Sequence, residues 1–267
     1  MKNIYFLAIV LWAVSCKEAP KEAQKKMEEP MPMAKAVSRN YPEALQKVFE
    51  AHGGIEAWAT QRTLSYEMPK NKGKEIHTLD LKSRKDRIDA PNFSMGFDGR
   101  EVWLSKDAAY EGDAVFYHNL MSYFYAMPFI LGDKGINYEG TEDLVFEGKS
   151  YPGIRISYDS GVGTSPKDEY YLHFDKDSNQ MSWLGYTVTY RSGEKSDNVK
   201  WIRYHDWEDV AGLILPKAVT WHAYEGRDIK EAKSTVTFEN VSLSVSAKSD
   251  DFYAIPEGGS VAERKNK

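Results

Sequence analysis

The chain has one cysteine, six scattered histidines and no unbroken apolar run longer than eleven residues. A single cysteine, Cys16, excludes an intrachain disulfide and a cysteine zinc cluster. No H-E-x-x-H, G-x-S-x-G or phosphate-binding glycine loop occurs, and no cysteine is set up as a nucleophile. Eleven apolar residues are too few to cross a bilayer as a helix. Lys and Arg (35) are fewer than Asp and Glu (40), with no basic patch interleaved with aromatics, so no nucleic-acid partner is expected. Asp175-Lys176-Asp177-Ser178-Asn179 begins like a calcium loop. Its sixth and twelfth positions are Gln180 and Tyr186, not glycine and glutamate, which leaves a hairpin turn. His205 to Asp209 is the densest acidic and imidazole cluster. On a strand His205 and Asp206 point to opposite faces, so they share no metal easily. No catalytic residue, metal or cofactor is therefore expected, and the chain is not read as an enzyme.

What is present begins with an address. Lys2 precedes the apolar run Ile4 to Val14, which has the length of a signal-peptide core. The run ends Ala13-Val14-Ser15-Cys16, which resembles the lipobox of bacterial lipoproteins. The expectation is a signal peptide over 1–15, a lipidated Cys16 that anchors the chain to a membrane, and an outer-membrane place in the cell envelope. Apart from methionines, Lys17 to Ser38 is almost wholly Lys, Glu, Ala and Pro, a composition that buries no core. Residues 16–39 are read as a tether reaching on the order of 25 Å, 40–256 as one domain, and 257–267 as a disordered tail.

Within that domain, Pro42 and Glu43 suit the start of a helix carrying Leu45, Val48, Phe49 and His52 on one side, and Gly53-Gly54 stops it. His52, on the apolar side, is read as packed. Period-two alternation then predicts about ten or eleven strands joined mostly by short turns, hence a sequential antiparallel sheet. Ile136 to Glu139, Leu144 to Glu147 and Ser234 to Ser244 are read as one strand each. Ala114 to Asp133 is different. Phe116, Tyr117, Leu120, Met121, Phe124 and Tyr125 recur at helical spacing, so a helix capped by Asp113 is expected to lie across the sheet as its cover.

The aromatics supply the candidate site. Trp103, Trp183, Trp201 and Trp221 fall on strands; Phe116, Leu120, Phe124, Met127 and Phe129 fall on or after the helix. Together they are read as lining an apolar groove between a curved sheet and its cover. Taken singly, each reads better as core.

Five motifs then come in order: AHGGIEAW (Ala51 to Trp58), FDGREVWL (Phe97 to Leu104), PFILGD (Pro128 to Asp133), GLILP (Gly212 to Pro216) and DFYAIP (Asp251 to Pro256). Together they resemble the LolA/LolB-like superfamily of lipoprotein carriers, and within it outer-membrane lipoproteins of Bacteroidota-type bacteria. The resemblance implies a mainly β (α+β) fold, an incomplete antiparallel β-barrel with helices covering the open side. It also implies a cavity for a lipid, acyl chain or other hydrophobic ligand. Two other readings stay open: an envelope structural or protein-interaction module with a self-filled core, and a hydrolase of unknown substrate.

If Cys16 is the anchor, Cys16→Ser moves the protein from the membrane to the soluble fraction and removes a diacylglyceryl mass. Fractionation with mass spectrometry reads both changes.

Overall fold

The computed structural model describes residues 40–161 and 165–265; the expected signal segment, Cys16 and the tether lie outside the described residues. Residues Arg39–Lys267 cluster as one unit. Helices α1 (Glu43–Ala51) and α2 (Ile55–Thr60) open it. Strands β1 (Thr63–Lys70), β2 (Gly73–Asp80), β3 (Asp86–Ala90), β4 (Phe93–Phe97) and β5 (Val102–Leu104) follow. Next come α3 (Ala114–Tyr117), α4 (Leu120–Tyr125) and a 3-10 turn at Phe129–Gly132. A second run of strands is β6 (Ile136–Phe146), β7 (Lys149–Tyr158), β8 (Tyr170–Phe174), β9 (Met181–Tyr186), β10 (Lys200–Val210), β11 (Leu213–Glu225) and β12 (Asp228–Thr237). The chain closes with β13 (Glu239–Ser244), α5 (Asp250–Tyr253) and β14 (Ser260–Val261).

These strands form two seven-stranded antiparallel sheets, ordered β13-β1-β2-β3-β4-β5-β14 and β12-β11-β10-β9-β8-β7-β6. Among the described residues no closed barrel results, because neither β12 with β13 nor β6 with β14 is hydrogen-bonded across the two sheets. The fold is mainly β with helices covering an incomplete barrel, as the sequence implies. Local chemistry sets the turns. Asp98 Oδ1 accepts the N–H groups of Arg100 and Glu101 between β4 and β5, with Gly99 at φ 102°. Asp175 Oδ1 accepts those of Asp177 and Ser178, so the calcium-like stretch is a hairpin turn.

Four expectations are corrected. Ser234 to Ser244 is two strands in different sheets, β12 and β13, separated at Phe238. Phe238 turns into the core against Tyr125 and Tyr66, at ring distances of 4.5 and 5.4 Å, which makes the corner between the sheets. Ile136 to Glu147 gives a single strand, β6, whose register shifts between Thr141 and Leu144. The cover helix is broken into α3, α4 and the 3-10 turn, although Asp113 does cap its start by accepting the Phe116 N–H. The segment after Pro256 is not a disordered tail through its described part. Ser260 and Val261 pair with Leu104 and Trp103, and Ala262 N–H bonds Val102 O at 2.7 Å. Main-chain pairing at a sheet edge asks for no apolar residues, so a polar tail hides it from a reading of composition.

One core joins both sheets to the helices. Ile154, Leu172, Leu184 and Ile202 lie in one row across β7, β8, β9 and β10. They are buried with Leu64, Tyr66 and Met68 of β1 and with Leu45, Val48 and Phe49 of α1. Each such side chain contributes about 1.5–3 kcal/mol by leaving water. Phe129 is stacked between Trp58 (4.8 Å) and Phe49 (6.4 Å) and so ties the 3-10 turn to α1 and α2.

The end of α1 is fixed by His52. Its Nε2 accepts the Met181 N–H at 3.0 Å, so Nδ1 carries the proton and donates to Ile214 O at 2.9 Å; Ile214 N–H returns a bond to His52 O at 3.0 Å. Gly53 follows at φ +97°, and any Cβ there would lie 2.1 Å from Gly212 O. Burial holds the His52 pKa down at about 4, and does the same to His173. A proton on Nε2 would remove the acceptor that Met181 uses.

Both imidazoles therefore favour the folded state when neutral. Their contribution is complete above pH 6.5 and is lost as pH falls toward 4, on the order of 3 kcal/mol for His52. Urea melts from pH 8 to pH 4 should show this fall. His52→Leu should be less stable at pH 8 yet lose less between pH 6.5 and 4.

Candidate functional site

Much of the expected groove between sheet and cover is filled by the core just described. Open space remains under α3 and α4, as a cavity of about 120 Å³. Phe116, Leu120, Tyr123 and Phe124 reach it from the helices because they sit four, seven and eight residues apart on one helical stripe. Asn119 joins them from the break between the helices. Tyr158 at the end of β7 and Tyr170 at the start of β8 close the sheet side, with Tyr190 beyond β9. Ser165 and Asp168 complete the wall ahead of β8.

The rings contact one another around this space. Tyr123 and Tyr170 stand 5.4 Å apart, Tyr158 and Tyr170 5.8 Å, and Phe116 and Tyr190 4.8 Å. The Tyr123 and Tyr158 hydroxyls are hydrogen-bonded to each other. Burial raises the pKa of Tyr123, Tyr158 and Tyr170, which keeps the phenols neutral. Asp168 Oδ1 accepts the Thr189 N–H at 2.6 Å, and burial raises its carboxyl pKa.

Polar anchors hold the cover over the cavity. Tyr117 Oη donates to Glu75 Oε2 at 2.7 Å, and His118 Nδ1 lies 2.6 Å from Asp86 Oδ2. Glu75 also meets His77 Nε2 at 3.2 Å and Lys70 Nζ at 3.3 Å. Residues 117 and 118 are where α3 gives way to α4. The predicted helix breaks at the point where side chains on β2 and β3 hold it, a tertiary demand that helical spacing does not record.

Of the nine residues expected at the site, Phe116, Leu120 and Phe124 line the cavity. Trp221 stands behind them, 5.8 Å from Phe124, with its indole N–H on the Tyr186 hydroxyl at 2.9 Å. Met127 and Phe129 are buried in the main core. Trp183 and Trp201 belong to a separate cluster with Leu144, Tyr151 and Ile229. Trp103 is fully buried, and its indole N–H bonds Tyr253 O of α5 at 2.9 Å. Sequence reasoning missed Asn119, Tyr123, Tyr158, Ser165, Asp168, Tyr170 and Tyr190. Tyr123 was findable on the stripe of Phe116 and Leu120. Tyr158 and Tyr170 meet only through the pairing of β7 with β8.

The His205 cluster also departs from expectation. Asp206 has φ 53°, which breaks the alternation and brings its Oδ2 3.1 Å from His205 Nδ1. Among the described residues no group of three or more His, Cys, Asp or Glu is positioned to hold a metal.

Residues 97–237 match the model of a family of unknown function, DUF6503, and that span takes in the whole cavity wall. A search of curated proteins gives no match. Similar solved structures include a LolA superfamily protein from Nitrosomonas europaea (10% identity, 79% of this chain and 96% of that one, TM-score 0.45). A domain of an outer membrane lipoprotein-sorting protein from Vibrio parahaemolyticus is also similar (12%, 78% and 97%, TM-score 0.40). So is a DUF1329 family protein from Desulfovibrio piger (9%, 79% and 95%, TM-score 0.44). The first is of the superfamily that the five motifs resemble. At these scores the likenesses carry no weight for function.

Asp86 is buried, and its Oδ1 has no partner among the described residues. His118→Ala, which takes the partner from Oδ2 as well, should cost roughly 3 kcal/mol. Denaturant unfolding measures that loss. A double variant, Asp86→Leu with His118→Leu, should recover part of it.

Proposed function

The chain belongs to the DUF6503 family of unknown function, and we propose that it acts there as a binding module of the cell envelope rather than as an enzyme. Its ligand presents an apolar group to the cavity under α3 and α4. The observation that carries this reading is the cavity itself, about 120 Å³ and walled mainly by Phe, Leu and Tyr side chains. A dry engineered cavity of about 150 Å³ takes up benzene, so this one suits a single ring or a short stretch of chain. A longer acyl chain would have to displace α3 and α4. Lipidation at Cys16 would hold the domain at the outer membrane, close to such chains.

The filled interior favours a second reading, an interaction module of the envelope with no long-chain ligand. Titration with a series of 1-alkanols separates the two. For a binding cavity, affinity rises about fourfold per methylene and levels off once the space is full. Leu120→Arg, at a half-buried position on the wall, should abolish uptake with an unchanged circular dichroism spectrum. A protein that takes up none of the alkanols is an interaction module instead.

A further inference from the structure

We propose that the cavity under α3 and α4 receives a tertiary or quaternary ammonium group, held in a cage of aromatic rings closed by the Asp168 carboxylate. This rests on the reading of that cavity as a ligand site. It goes further by naming the charge the ligand carries.

The first observation is the sign of the wall. Asp168 is the one carboxylate lining the cavity, and no Lys, Arg or His lines it among the described residues. Asp168 is buried, 8% exposed, and forms no ion pair among the described residues; its carboxylate is bonded by Thr189, whose N–H donates to Oδ1 at 2.6 Å. Two neighbouring cations are already partnered, one by an acid and one by a ring of the wall. Lys167 reaches Glu194 at 3.5 Å, and Arg264 stacks 4.1 Å over Tyr190 while donating to Tyr190 O; neither lines the cavity. A buried carboxylate is normally paired with a cation or driven neutral. Burial already raises the Asp168 pKa, and a bound cation would favour its ionised form. A fatty-acid carboxylate at this position would be repelled instead.

The second observation is the rings. Tyr158 meets Tyr170 at an interplanar angle of 82°, and Tyr123 meets Tyr170 and Phe116 meets Tyr190 at 46° each. Rings inclined in this way can offer a ligand among them faces as well as edges. The faces carry the negative part of the aromatic quadrupole and attract a cation within about 6 Å. Aromatic cages of this kind recognise choline and methylated amines. An alkylated ammonium suits the site better than a bare one, because its methyl groups fill apolar space while its charge stays diffuse. At about 120 Å³, the cavity has room for one such group and little else.

The test compares choline with 3,3-dimethylbutan-1-ol, which has the same shape without the charge, by calorimetric titration of the whole protein. Choline should bind roughly tenfold or more tightly than the alcohol. Asp168→Asn, which keeps an acceptor for the Thr189 N–H, should remove most of that preference while the alcohol still binds. Tyr170→Leu should weaken choline more than the alcohol. Should either variant fail to fold, the two ligands on the unmodified protein decide alone. Equal binding, or tighter binding of the alcohol, overturns the ammonium assignment and leaves the apolar cavity standing. Binding of neither ligand, nor of any alkanol, overturns the ligand site itself. The ammonium could belong to a lipid headgroup or to a free small amine. Monomeric dihexanoylphosphatidylcholine binding more tightly than choline supports the lipid source, and equal binding supports the free amine.

Discussion

Two open sheets expose an apolar inner surface that water penalises, so the fold depends on pinning a cover onto it. The pin is the neutral His52 ring. It donates to β11 through Nδ1 and accepts from β9 through Nε2, so one side chain fixes the end of α1 to two strands. Gly53 lets the chain pass Gly212 at a distance no Cβ permits. Phe129 then locks the 3-10 turn between Phe49 and Trp58. These contacts join the motifs around His52, Pro128 and Gly212 into a single joint, although they are far apart in the sequence.

The cover over the other end is held by different chemistry. Glu75, His77 and Asp86 are buried on β2 and β3, and Tyr117 and His118 meet Glu75 and Asp86. Buried ionisable groups of this kind cost desolvation and hold only while partnered. Their effect is geometric: they draw the helix onto the first sheet and break it at residues 117 and 118. The second half, α4, then spans toward Tyr158 and Tyr170 of the second sheet and leaves the cavity beneath it. The same constraint that shortens the helix therefore opens the space where a ligand fits.

The candidate site was only partly legible from the chain. Phe116, Leu120 and Phe124 could be found because helical spacing puts them on one stripe. The tryptophans could not be sorted, since adjacent strand residues face opposite ways and only pairing says which face is inside. Trp183 and Trp201 proved to build a separate small core around Leu144, Tyr151 and Ile229, and Trp103 proved to lie under α5. Asp168 gave no signal at all. An acid between Lys167 and Glu169 reads as solvated until the strands on either side enclose it.

The sequence by itself determined what local rules control. Alternation, turn chemistry at Asp98 and Asp175, the cap at Asp113 and the stop at Gly53-Gly54 follow from neighbours a few residues away. The order of the antiparallel strands follows mostly from short connections. Tertiary structure alone decided the corner at Phe238, the pairing of Ser260 and Val261 with β5, the broken helix and the wall of tyrosines. Each of these depends on groups brought together across long stretches of chain, through main-chain bonds or buried polar contacts that have no sequence period.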